Sequence, residues 1–139
     1  MFNIPEPLSI AVHTLALLAE KPGAALPGKT VAEALGLSPT HLAKVLPRLA
    51  RAGLLESRPG PNGGVCFTGK PSKITLAMIQ NAIEGPPVPR KGCLLPREAC
   101  PGNRCALGTF LSKMEAEARR VFKTTTLADI LRGTQRKRK

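Results

Sequence analysis

The chain has 139 residues, enough for one core or a small domain with an added helix, and too few for two full domains. It carries 21 Lys and Arg against 9 Asp and Glu, a net charge of +12 with a pI near 10.4, which points to a polyanionic partner. With no Trp, no Tyr and four Phe, the stacking platforms of single-strand binders are largely missing, so duplex DNA read by a helix suits the composition better.

The opening MFNIPEPLSIAVHTLALLAE has no basic leader and no cleavage site, and its apolar run is interrupted by His13 and too short to span a bilayer. A cytoplasmic protein without a membrane partner is expected, and in that compartment thiols stay reduced. Leu8, Ala11, Val12, Leu15, Leu18 and Ala19 recur at spacings of three and four, predicting a helix from about Pro7 to Glu20. After the break KPGAALPGK, Thr30 with Glu33 reads as a capping box opening the short helix VAEAL, which Gly36 closes. Ser38 is a second N-cap, and Pro39 suits the first helical position. The helix it opens should reach about Ala52, with Leu42, Val45, Leu46 and Leu49 inward and Thr40, His41, Lys44, Arg48 and Arg51 mostly on the other side.

Pro47 falls inside that helix, where it removes a hydrogen bond and crowds the Ala43 carbonyl at a cost of roughly 3 kcal/mol, so a kink or early break is expected there. Next, LLESR and GVCFT are two extended runs joined by PGPNGG, a hairpin with a glycine-rich tip. GPNGG lies between strands and lacks a following helix, which favours a hairpin turn over a phosphate-cradling loop. Three helices and a hairpin make a winged helix-turn-helix, so the fold class is mostly α with a small β-hairpin wing. KITLAMIQNAIEG adds a helix ended by Gly85, and PPVPRKG interrupts regular structure. Leu107, Phe110, Leu111, Met114, Ala118, Val121 and Phe122 then form the stripe of a long C-terminal helix, and Thr126 with Asp129 caps a last short turn. That stripe follows a winged unit that is already complete, so a second subunit is its expected cover.

GCLLPREACPGNRC, residues 92–105, holds three of the four cysteines. Three thiols are one ligand short of a tetrahedral zinc site and odd for a disulfide framework, and reduced clustered thiols favour metal or redox sensing. Cys93, Cys100 and Cys105 suit soft iron–sulfur coordination, and Arg90, Lys91, Arg97 and Arg104 stand nearby to favour thiolate. Cys66, apart in a wing strand, is expected to pack as a small hydrophobe. Two histidines, no Ser-His-acid pattern and few carboxylates argue against an enzyme.

SPTHLAKVLPRLARAGLLESRPGPNGGV, ITLAMIQNAIEGP, the C-x6-C-x4-C stretch and TTLADIL occur in one order over nearly all of residues 8–131, and with them the chain resembles the IscR/NsrR family of bacterial transcription regulators. The resemblance implies a homodimer, joined by its long C-terminal dimerisation helix, that grips a pseudo-palindromic operator in double-stranded DNA. It also implies a repressor whose affinity is set by an iron–sulfur cluster, [2Fe-2S] rather than [4Fe-4S], on Cys93, Cys100 and Cys105. Other members sense through thiols, and an iron–sulfur carrier or adaptor without operator recognition is a further alternative. The DNA-binding residues the resemblance suggests are Ser38, Thr40, His41, Lys44 and Arg48 on the recognition helix, with Arg58, Asn62 and Gly63 in the wing. Arg58 stands where the family places an arginine that enters the minor groove.

Position 43 is Ala, where some members carry an acid that sharpens operator choice, so a different operator class is implied. Several members take their fourth ligand three residues after the third cysteine, and here that position is Gly108. Others take it from the first helix, where Ser9 and His13 are the matching positions. His13 is therefore the candidate fourth ligand and Glu6 a weaker one. The chain is thus expected to divide into a winged helix-turn-helix over 1–85, a sensory cysteine loop over 86–106, a dimerisation helix with its cap over 107–131, and a disordered basic tail over 132–139.

Overall fold

The computed structural model describes residues 3–88 and 105–135. Helix α1 (Glu6–Ala19) follows Pro5 and buries Leu8, Ile10, Ala11, Thr14, Leu15, Leu18 and Ala19. Its covered face is wider than the predicted stripe because α1 is packed by several helices, so Ile10 and Thr14 join the core while Val12 is only half-buried.

Helix α2 (Gly28–Leu35) starts two residues before the expected capping box, and its cap is Pro27, with no side chain capping it. Thr30 and Glu33 are therefore both inside the helix, and Glu33 instead stands 4.0 Å from Lys29. The cause is distant in sequence: Leu26 exchanges both of its backbone hydrogen bonds with Val65, at 2.9 and 2.8 Å, which pins the chain and forces the turn at Pro27. The exit is as expected, with Gly36 left-handed at φ 64° and the Leu37 amide donating to the Ala32 carbonyl at 2.9 Å.

Helix α3 (Pro39–Arg51) is capped by Ser38, whose hydroxyl accepts from the Thr40 amide at 3.3 Å. Leu42, Val45 and Leu49 are buried. The helix runs on through Pro47 to Arg51, so the early break, one of the two expected outcomes, does not occur. Pro47 and Ala43 both lie on the exposed face, where water can satisfy the freed Ala43 carbonyl while the buried residues on either side hold the helix together.

Strands β1 (Glu56–Arg58) and β2 (Gly64–Cys66) form an antiparallel hairpin with Glu56 opposite Cys66 and Arg58 opposite Gly64. Gly64 is at φ 138°, and a Cβ there would run into the Leu26 carbonyl; one on Gly63 would strike the backbone at Arg58 and Pro59. Cys66 is fully buried beside Val65 and Phe67, as a small hydrophobe should be. A 3-10 turn over Pro71–Lys73 then leads to α4 (Leu76–Glu84), capped by Thr75 and ended by Gly85 at φ 81°.

Helix α5 (Ala106–Thr124) is followed by α6 (Leu127–Gln135). The reciprocal cap between them is present: the Thr126 amide donates to Asp129 Oδ2 at 2.8 Å and the Asp129 amide to Thr126 Oγ1 at 3.3 Å. What it opens is a nine-residue helix rather than a short turn. Leu127 is fully buried, its amide donates to the Ile74 carbonyl at 2.7 Å, and α6 packs on α1 and the 3-10 turn. The winged core is therefore not closed before the C-terminal helices, since burying a leucine such as Leu127 contributes about 2 kcal/mol that the first 85 residues lack.

Candidate nucleic-acid interface and cysteine site

Thr40, His41 and Lys44 project from the first two turns of α3 and are all exposed, with Ala43 between them. The Ser38 cap fixes where this helix begins and the burial of Leu42 and Val45 fixes its rotation, so the three side chains share one outward face. There is no Asp or Glu within α3, and Lys44 has no acidic partner among the described residues. His41 is different, because its Nδ1 lies 3.3 Å from Oε1 of Glu6 in the first turn of α1.

Arg48 is committed elsewhere. Its Nη1 donates at 2.8 Å to the carbonyl of Ile83, one of the orphan carbonyls at the end of α4. Arg58 at the base of the wing similarly donates through Nη1 to the Gly23 carbonyl at 2.8 Å, tying the hairpin to the loop after α1. Asn62 is exposed at the wing tip, whereas Gly63 is buried and answers to the tightness of the turn. Thus Thr40, His41 and Lys44 are brought together, Ser38 caps them, and Asn62 lies apart on the wing.

Cys93 and Cys100 lie outside the described residues. Cys105 is the N-cap of α5, half-buried, with a free thiol, and Gly108 is buried one turn further on. His13 is exposed on α1, and its Nδ1 donates to the Ser9 carbonyl at 2.7 Å. A carbonyl can only accept, so Nδ1 carries a proton in this bond, and in the neutral ring Nε2 keeps the lone pair with which a histidine ligates metal. Among the described residues no three His, Cys, Asp or Glu side chains converge on one point. The available donors, a free thiol and an imidazole nitrogen, nevertheless match an iron–sulfur site in kind.

Sequence reasoning missed that Glu6 faces His41 and that Arg48 and Arg58 are tied to backbone carbonyls. Each tie joins residues 35 apart in the chain, and no local pattern encodes such a pair. Among the described residues no helix is long and apolar enough to cross a membrane.

The chain is similar to the HTH-type transcriptional regulator YwgB of Bacillus subtilis, 31% identical over 123 residues that cover 87% of this chain and 79% of that protein. It is also similar to the HTH-type transcriptional regulator NsrR of Geobacillus kaustophilus, 30% identical over 109 residues covering 74% of this chain and 71% of that one. The structure of CymR, the global cysteine regulator of B. subtilis, superposes with a TM-score of 0.76 at 25% identity, over 94% of this chain and 97% of CymR. The model of the Rrf2 family, described as iron-dependent transcriptional regulators, matches residues 4–133. With its winged helix-turn-helix and the helices that follow it, the chain belongs to the Rrf2 family of transcriptional regulators.

Proposed function

We propose that this regulator is a homodimeric repressor that reads a pseudo-palindromic operator with α3 and the wing. Its affinity is set by a [2Fe-2S] cluster on Cys93, Cys100 and Cys105, with His13 as the fourth ligand. The observation that carries the DNA reading is the exposed face of α3, a helix with no Asp or Glu of its own, holding Thr40, His41 and Lys44. A helix with these residues outward fits the major groove, and Lys44 neutralises phosphate on approach. Asn62 extends the contact from the wing. Arg58, anchored on Gly23, presents the hairpin rigidly and can reach the minor groove only by leaving that carbonyl.

The homodimer is supported by the stripe on α5. Leu107 and Phe110 are 56% and 52% exposed and Val121 is 37% exposed, and all three fall on one face with half-buried Met114 and Ala118. A second copy applying the same stripe would cover it by two-fold symmetry. Cluster ligation is supported by the donor set, namely the free Cys105 thiol and Nε2 of His13, and by the iron dependence in the family's description. When bound, the group would supply a redox-active centre next to the start of α5. The likeness to CymR favours a second reading, in which the same cysteines act as thiols and a reversible disulfide replaces the cluster.

The experiment is equilibrium binding of anaerobically purified protein to genomic duplex fragments, before and after iron is removed with a chelator. A set of fragments retained in one state and released in the other is expected. Equal affinity in both states would contradict cluster control.

A further inference from the structure

Glu6 and His41 were separate candidates, one as a weak metal ligand and the other as a base contact, and the fold sets them 3.3 Å apart. Both remain open to solvent, at 67% and 51% side-chain exposure. The position of His41 is well fixed, because it follows the Ser38 cap by three residues and precedes fully buried Leu42. Glu6 is equally fixed as the first residue of α1, which packs on α3. What the contact with Glu6 selects is which ring nitrogen points outward, since an ionised carboxylate, which only accepts, favours a proton-bearing Nδ1 turned toward α1.

We propose that Glu6 is a positioning residue for base readout, holding the His41 ring so that Nε2 faces the major groove and meets the edge of one base pair. This rests on α3 being the DNA-reading helix. In the neutral ring Nε2 is then an acceptor, matched to the amino group of a base. A carboxylate beside a phosphate-binding face opposes affinity, so the contribution of Glu6 is to discrimination between sequences rather than to attraction. It also assigns Glu6 to the recognition helix rather than to the metal, leaving His13 as the first-helix ligand.

The test is selection from a pool of randomised duplexes with the 139-residue protein and the variants His41→Ala, Glu6→Ala, Glu6→Gln and the double alanine variant. His41→Ala and Glu6→Ala should each lose about tenfold of the preference at the same base pair and keep it elsewhere, with no further loss when combined. Glu6→Gln should retain the preference, because its amide oxygen still accepts from Nδ1. Full preference in Glu6→Ala overturns the proposal, and so does an equal loss in Glu6→Gln, which would mark a charge effect. If the unaltered protein enriches no sequence at all, readout by α3 fails and the role of Glu6 fails with it.

Discussion

Arg48 near the end of α3 donates through Nη1 to the carbonyl of Ile83 in the last turn of α4, at 2.8 Å. One guanidinium thus ties α3 to the helix whose chain continues past Gly85 toward Cys93. It also satisfies a carbonyl that has no partner within α4.

Arg48→Met, which keeps most of the stem and removes the donor, should lower stability by about 1 kcal/mol in urea unfolding, because it orphans that carbonyl. Lys44→Ala should leave the unfolding midpoint in place. Its effect belongs in DNA binding, where the slope of log affinity against log salt should fall in magnitude by about 1.8 as the dimer loses one phosphate contact from each subunit.

Gly64→Ala should be among the more damaging single changes in the wing. The residue sits at φ 138°, and the added Cβ would collide with the Leu26 carbonyl, part of the bridge that sets the start of α2. Thermal unfolding should show a loss of more than about 1 kcal/mol, whereas Asn62→Ala at the exposed tip should be within about 0.5 kcal/mol of the parent.

Charge on the α5 stripe tests the dimer. Leu107→Glu with Phe110→Glu places two carboxylates where two copies would meet, and sedimentation should show a monomer with its helical content retained. Operator affinity should fall with it, because two half-sites are no longer bound together.

The cap of α6 carries a pH signature. Hydrogen bonds from the Thr126 hydroxyl first, then from the Thr126 amide and the Arg132 guanidinium, hold the Asp129 carboxyl below its ordinary value of 3.8. A carboxyl depressed in the folded state contributes stability in full above its unfolded value and loses it as pH falls through the lower folded value. The stability read from unfolding curves should therefore fall more between pH 5 and the acid range about that ordinary value in the parent than in Asp129→Asn.

Local chemistry in the sequence was a good guide wherever one short stretch determines the outcome. Ser38 with Pro39, Gly36, Gly85 and the Thr126–Asp129 pair mark helix ends by hydrogen bonds that reach only two to five residues, and each is found in place. The hairpin and the burial of Cys66 were legible for the same reason. The capping box at Thr30 misled because Leu26 pairs with Val65, 39 positions on, and that pairing decides where α2 begins. Pro47 misled as to a break because a propensity penalty was weighed without knowing that its face is solvated. The outward face of Thr40, His41 and Lys44 followed from helical periodicity, but Arg48, Arg58 and Glu6 take partners from other elements that periodicity does not specify.

On the proposed function, the cysteines at 93, 100 and 105 hold an iron–sulfur cluster. This reading is tested most directly by the absorption spectrum of anaerobically purified protein together with its iron and acid-labile sulfide content. A brown protein with visible sulfur-to-iron absorption and equal iron and sulfide, lost in Cys105→Ser, is expected. A colourless protein free of iron and sulfide under those conditions would contradict this reading.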